Sequence, residues 1–411
     1  MKRIICFLLI AAMALAMVSA FADATVVDGV TARNITITKA GENSVDEGVS
    51  PTTGRVLSEL AVPDEFSGMA KTGVYMPVMV QVTNAESGVN YRAPWYANYA
   101  DVIYESPIER DGVTRYTMVF NDTLPEWVGC NRSIRIQHIW IHEEWNGPFV
   151  YWGHQEGVEE EIVALGHLNP KSAQDDEPGM FYEGIYDQRP WGKYRFRVDG
   201  FKEPNNGVFH LSEVMENIAS HHEFTPRNHT YLFADALPEG GDEAGTIYVM
   251  FNKQHASDGN YYFNTMLQYE PDDGVYYRWI LRDLNNPDNS VLFDELAPTN
   301  IKKVANSDNG PAIHCDATHG EPIAFSNIIV QHIPMTWAGG DRRMPRPTLT
   351  GTGNADYFMG GKHYSGVWNR DTMQDRTVFY DENGQELAMQ RGKTLIILLD
   401  SENERRELRY E

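Results

Sequence analysis

The clearest pattern of apolar and polar positions lies between Ala100 and Trp145. Val102 and Tyr104 alternate with Ile103 and Glu105, and the stretch Thr114 to Phe120 continues in the same β-branched and aromatic style. Period-two alternation in such residues predicts two strands. The connector Ser106 to Gly112 contains Pro107 and an Asp111-Gly112 pair, which predicts a hairpin turn. On the second strand Arg115, Thr117 and Val119 share one face, and Tyr116, Met118 and Phe120 form the apolar one. Past Pro125 the period changes to that of a helix starting near Asn131, with Cys130 or Asn131 as its cap. Ile134, His138, Ile141 and Trp145 form its apolar stripe, with Arg132, Arg135 and His142 beside it.

Around this stretch, Met76 to Val82 and Phe149 to Gly153 read as short buried strands, and Val158 to Leu165 as a helix. Leu211 to Ala219 reads as another helix, capped by Ser212. Residues 23–72 are rich in Gly, Ser, Thr and Asp with little periodicity, and read equally as a tether or as one or two edge strands. The breaker-rich stretch from Phe224 to Gly245 is the best boundary. Beyond it only strands are expected, including Thr246 to Phe251, Tyr261 to Tyr269, Val275 to Leu281, Asn327 to Ile333 and a last one in Gly392 to Asp400. Asn383-Gly384 marks a hairpin turn among them. The chain thus divides into 1–22, 23–72, 73–225 and 245–402.

Charge sharpens the picture in the central stretch. Arginines in the first turn of a helix oppose the positive end of its dipole, at a cost of roughly 0.3–1 kcal/mol each. Something negative should compensate at Arg132 and Arg135. One partner is internal: Asp101, Glu105 or Glu109, paired with Arg115, Arg132 and Arg135. The other is an external anion, held by the arginine fork and by backbone N–H groups at the helix start. The interleaved segment with Arg189, Lys193, Arg195 and Arg197 among Trp191, Tyr194 and Phe196 is either a ligand-facing patch or one solvated face of a strand.

At Met1 to Ala22 a charged start (Lys2, Arg3), an apolar run and small residues near its end have the form of a signal peptide. Export is therefore expected. Cys6 lies inside the apolar run with no lipobox-like element at its end, so lipidation is not expected, and nothing else is long enough to span a membrane. The net charge of −24, from 58 acidic and 34 basic residues, argues against nucleic acid as a partner. Without Cys6, Cys130 and Cys315 remain, and an oxidising compartment would allow them one disulfide.

Three short elements carry a resemblance. Asp101-Val-Ile-Tyr104-Glu105, then Gly112-Val-Thr114-Arg115, then Gly129-Cys-Asn-Arg132-Ser133-Ile-Arg135 resemble, in order and spacing, the YerB-like family (DUF3048), a domain of unknown function in bacterial envelope proteins. Cys130-Asn131 stands where the family shows Pro-Val. In the family's His-x-Gly-Gly-Ser element only Gly153 matches, with Tyr151 and Gln155 in place of the His and Ser. Asn205 replaces the His of its Pro-His-Asn element. These losses favour binding over catalysis. Pieces of the C-terminal half, among them Asn327 to Gln331, Gly366-Val367-Trp368 and Gly392-Lys393-Thr394, resemble the family's second domain. The resemblance implies an α+β protein: an N-terminal α/β layered sandwich followed by a mostly antiparallel β domain.

The expected site is an anion pocket of Asp101, Glu105, Arg115, Arg132, Ser133 and Arg135, with no catalytic residue, metal or cofactor. Its ligand would be an anionic group on a wall or lipid-linked precursor, or another envelope protein. Two other readings stand beside it: a hydrolase using Glu105 or Cys130, and a scaffold whose charges pair internally. His138 and His142, four apart on a helix, could hold a metal, but their order is not His-Glu-x-x-His. P-loop, dinucleotide and nucleophile-elbow motifs are absent.

Overall fold

The computed structural model describes residues 24–84, 94–171, 179–186, 193–197, 203, 206–221, 223, 225–253, 265–280, 312–314, 316, 321–338 and 344–411. The expected leader 1–22, Cys315, Asn205 and the Arg189–Trp191 part of the interleaved segment lie outside them.

Among the described residues, eleven strands form one mixed sheet. In chain order they are β1 (Val78–Thr83), β2 (Val102–Pro107), β3 (Thr114–Phe120), β4 (Phe149–Tyr151), β5 (Phe181–Glu183), β6 (Asp242–Glu243), β7 (Asn327–Ile333), β8 (Gly351–Met359), β9 (Lys362–Arg370), β10 (Val378–Tyr380) and β11 (Thr394–Asp400). Across the sheet the order is β6-β9-β8-β7-β11-β2-β3-β1-β4-β5, with β10 beside β9. The two halves read from the sequence are therefore joined edge to edge. β11, near the chain's end, lies parallel to both β7 and β2, with Thr394 opposite Asn327 on one side and Val102 on the other.

Thr-Leu-Ile-Ile-Leu-Leu-Asp is buried throughout, as an unbroken apolar run should be when both faces of its sheet are covered. Alternation sends Leu395 and Ile397 to one core with Ile103, Met118, Phe120 and Val249. Ile396 and Leu398 go to the opposite core with Val102, Val119, Ile139 and Trp145. Each fully buried Leu or Ile contributes roughly 1.5–3 kcal/mol, so the last strand is a large part of what holds the halves together.

The second core contains the helices α1 (Ile136–Trp145) and α2 (Val158–Ala164). The first contains residues of a seven-stranded sheet built from Thr25–Val26, Thr246–Met250, Thr265–Glu270, Val275–Ile280, Ala312–Ile313, Ala324–Phe325 and Glu407–Tyr410. A three-stranded sheet of Trp127–Gly129, Arg195–Arg197 and Gly207–His210 is followed directly by helix α3 (Leu211–His221). The chain is thus α+β and mostly β.

The central hairpin forms in the expected register, with Val102 opposite Val119 and Pro107 opposite Thr114. Its expected polar face is nonetheless buried, because α1 covers it: Arg115 and Thr117 have the same burial as their apolar neighbours. The N-terminal segment is irregular in backbone, yet it is laid against the sheet. Arg33 forms an ion pair with Asp356 at 2.9 Å, Asn354 donates to the Gly29 carbonyl at 3.1 Å, and the Thr38 N–H donates to the Gly384 carbonyl at 2.7 Å.

Candidate functional site

The helix expected from Asn131 begins at Ile136, with Arg135 as its N-cap. Residues 131–134 are extended because their backbone groups are committed elsewhere. The Asn131 N–H donates to Gly207, that of Arg132 to Gln81 and that of Ile134 to Gly153. Asn131 bridges Val82, and Ile134 bridges His154. Arg132 therefore precedes the helix instead of lying in its first turn. The Arg135 N–H donates to Nδ1 of His138 at 2.8 Å, so an imidazole, not an acid, closes the helix start.

The six expected site residues fall into three separate groups. Asp101 is buried with Asp122 under the N-terminal segment. Its Oδ2 accepts from the Thr52 hydroxyl at 2.7 Å and from the N–H groups of Asn121 and Asp122 at 3.1 and 3.0 Å. Asp122 accepts from Ser50 and Thr53, both at 2.7 Å. Burial, reinforced by Asp122, pushes the Asp101 carboxyl well above its ordinary range. This cluster clamps residues 50–53 to the sheet.

Glu105 does not pair with Arg115, Arg132 or Arg135. It faces the opposite core, where its partner is Arg278 of the seven-stranded sheet at 3.2 Å. Its Oε1 also accepts from Asn84 at 2.8 Å and Thr114 at 2.9 Å. Arg278 was not legible in the sequence because the pair spans 173 positions and no local spacing announces it. Glu105 and Cys130 are both wholly buried, and burial pushes the Cys130 thiol up to about 12. Cys130 is a free thiol, and its expected disulfide partner Cys315 lies outside the described residues.

The third group is the arginine cluster. Arg115 on β3 reaches across to the Ser133 carbonyl, and Arg135 donates to the Ile134 carbonyl at 3.1 Å. Burial, then the neighbouring Arg135, holds the Arg115 guanidinium well below its ordinary value, with Glu109 acting in the opposite sense. Burial, followed by Arg135 and Arg197, lowers Arg132 to about 10. Arg197 comes from the three-stranded sheet and lies 4.6 Å over the Trp152 ring, bonded to Asn206 at 2.7 Å and paired with Glu203 at 3.0 Å. Four guanidinium groups from three chain segments thus share one electrostatic neighbourhood.

Ser133 lines this group and donates to the Trp152 carbonyl at 3.3 Å. Beside it, Gly153 has φ +92, and a Cβ there would stand 2.5 Å from the Ser133 hydroxyl. His154 follows, with Nδ1 2.9 Å from the buried Glu183 carboxylate, whose other oxygen accepts the Gly153 N–H at 2.6 Å. The hydrogen bond that His154 donates to Glu183 raises the His154 pKa. This His–Glu pair was not foreseen, because the family's motif points to Tyr151 and Gln155 instead. The signal in the sequence was a lone histidine directly after the matching glycine.

A mostly β α+β protein with a large mixed sheet and a buried arginine cluster is the class this geometry defines. Models of the two domains of one family match it: the N-terminal domain of a protein of unknown function (DUF3048) over residues 66–223, and its C-terminal domain over residues 255–396. The chain belongs to that family. Its fold is similar to the crystal structure of the YerB protein from Bacillus subtilis, with a TM-score of 0.57 and 18% identity, over 86% of this chain and 96% of that one. No curated protein matches. Among the described residues no helix is long and apolar enough to cross a membrane.

Proposed function

We propose that this chain is an exported envelope protein that binds an anionic group at Arg115, Arg132 and Arg135, with Ser133 alongside. The wall, or a lipid-linked precursor bearing phosphate or diphosphate, is the source of that group. One observation carries the reading: like-charged guanidinium groups are gathered in a largely buried place, where Arg135 raises the cost of keeping Arg115 and Arg132 protonated and Arg197 adds to it at Arg132. An arginine fork matches phosphate oxygens in pairs, and low exposure strengthens each such bond. The signal-peptide pattern of residues 1–22 supports export, which fractionation of cells expressing the full-length chain tests directly.

Binding is tested by titrating inorganic phosphate, diphosphate and soluble wall fragments into the protein while following its thermal transition, with Arg135→Ala in parallel. A saturable rise that the variant loses supports the reading. A wild type that no anion shifts sinks it, because ligand that binds only the folded state must stabilise it.

A further inference from the structure

A second group of chemistry-bearing side chains lies at the far end of α1 from the arginines, and the anion reading makes no use of it. We infer that His142, Glu143 and His167 form a site for a divalent transition-metal ion of the zinc class. His142 and Glu143 are in the last turn of α1, and His167 follows the end of α2. One ligand atom from each residue lies within 4.8 Å of the others.

The orientation of the His142 ring carries the argument. Its Nε2 is 2.7 Å from the Gly147 carbonyl. A carbonyl oxygen can only accept, so Nε2 carries the proton. In the neutral ring Nδ1 then presents its lone pair, and that atom lies 3.4 Å from Oε1 of Glu143. Nδ1 and the Glu143 carboxylate thus face one another while the other ring nitrogen is engaged by the backbone, an arrangement that a cation between them would bridge. A backbone carbonyl behind the non-ligating nitrogen is also the usual way a metal-binding histidine is oriented. Phe181, with its ring centroid at 4.3 Å, and Phe149 at 6.1 Å pack against the His142 ring.

His167 supplies the third ligand, its Nε2 2.5 Å from the same Oε1, and its side chain retains 15% exposure. Two ligands about 2.0–2.1 Å from a tetrahedral zinc stand about 3.3 Å apart. The partly exposed His167 ring therefore has to withdraw slightly as the ion enters. On the other carboxylate oxygen, Gln374 donates at 3.4 Å and Arg227 stands at 3.9 Å, fixing the group's orientation. Two imidazoles and one carboxylate suit zinc better than calcium or magnesium, which prefer all-oxygen shells. Three protein ligands leave a fourth position for water or another small donor.

The competing arrangement is a plain ion pair between protonated His167 and Glu143. Isothermal titration of the chelator-treated full chain with Zn2+ separates the two, with Co2+ as a spectroscopic substitute. The expected result is one equivalent per chain and Co2+ absorption of tetrahedral intensity. In both His167→Gln and Glu143→Gln the affinity should fall by more than about 100-fold, beyond the 10–100-fold typical of losing an outer partner. His167 is at the surface, so its variant is expected to fold, which circular dichroism verifies. Failure to bind a single equivalent overturns the inference, as does binding that His167→Gln leaves unchanged.

Discussion

Glu105 of β2 and Arg278 of the seven-stranded sheet meet at 3.2 Å, each side chain only about 1% exposed. They join the central hairpin to a strand that the sequence places in the other half of the chain. Arg278 is held from several sides: its guanidinium donates to Thr265 at 2.7 Å, is 2.7 Å from Nδ1 of His314, and lies 5.3 Å over the Tyr116 ring. Removing one partner of a buried pair leaves an uncompensated charge, which typically costs about 3–5 kcal/mol. Arg278→Ala should therefore lower the free energy of urea unfolding by that amount. In Arg278→Met combined with Glu105→Gln no net charge stays buried, and much of the loss should return. A loss below about 1 kcal/mol in the single variant would show that the pair does not join the two sheets.

Arg135 is expected to show its role through ligand dependence. Its charge raises the cost of burying both Arg115 and Arg132. Arg135→Ala relieves that repulsion, so any cost of the substitution in the absence of an anion is partly offset. Phosphate in large excess should raise the stability of wild type relative to the variant, by about 2.7 kcal/mol at 100 times the dissociation constant. The growth of that margin with phosphate concentration is the diagnostic result. A scaffold role for Arg135 predicts instead a deficit of about 3–5 kcal/mol at every phosphate concentration.

Lys393 makes stability depend on pH. It is buried just before β11, with Nζ donating to the Ala97 carbonyl at 2.9 Å and to the Asn98 side chain at 3.1 Å. Burial lowers its pKa to about 7 from 10.5, with Asp316 and Asp101 opposing the shift and Arg55 adding to it. Between those values the unfolded chain binds the extra proton, so this group's contribution to stability rises with pH and is lost as pH falls towards 7. Lys393→Met removes the effect. The stability of this variant minus that of wild type should shrink by about 1 kcal/mol per pH unit from pH 7 to 10, near the limit of 1.36 for one full proton. Urea midpoints at three pH values measure it, and a constant difference would mean that Lys393 stays charged.

Local pattern carried most of the elements. Asn327–Ile333 falls where alternation places it, and the central hairpin has the expected register. Long-range partners were not legible, because nothing at Glu105 indicates a strand 173 residues away. The start of α1 lies later than the local pattern predicts for the same reason: Asn131 is a good helix cap, but Gly207 and Gln81 take the N–H groups of Asn131 and Arg132. The arginines of the cluster were readable as a group along the chain. Arg197 was not, because it reaches Arg132 only through the three-stranded sheet. Composition left residues 23–72 equally open to a tether and to edge strands; Thr25–Val26 pairs with the strand Glu407–Tyr410, and Arg33, Ser50, Thr52 and Thr53 fix the segment through the buried carboxylates of Asp356, Asp122 and Asp101.

Gly153 offers a way to disturb the arginine neighbourhood without touching a charge. Its φ of +92 disfavours any side chain, and a Cβ would meet the Ser133 hydroxyl at 2.5 Å. Gly166 has the same φ of +92 but open space, with nothing within 4 Å of where a Cβ would stand, so Gly166→Ala reports the backbone penalty alone. That penalty is of order 1–3 kcal/mol. Gly153→Ala should cost more, because the extended segment carrying Arg132 and Ser133 has to shift. Ser133→Gly removes the colliding group, so the double variant should return to about the cost of Gly166→Ala. If the shift displaces the arginines, Gly153→Ala should also weaken phosphate binding, and Ser133→Gly should restore part of it. Equal losses in Gly153→Ala and Gly166→Ala would show that Ser133 gives way freely and that the segment does not hold the arginines in place.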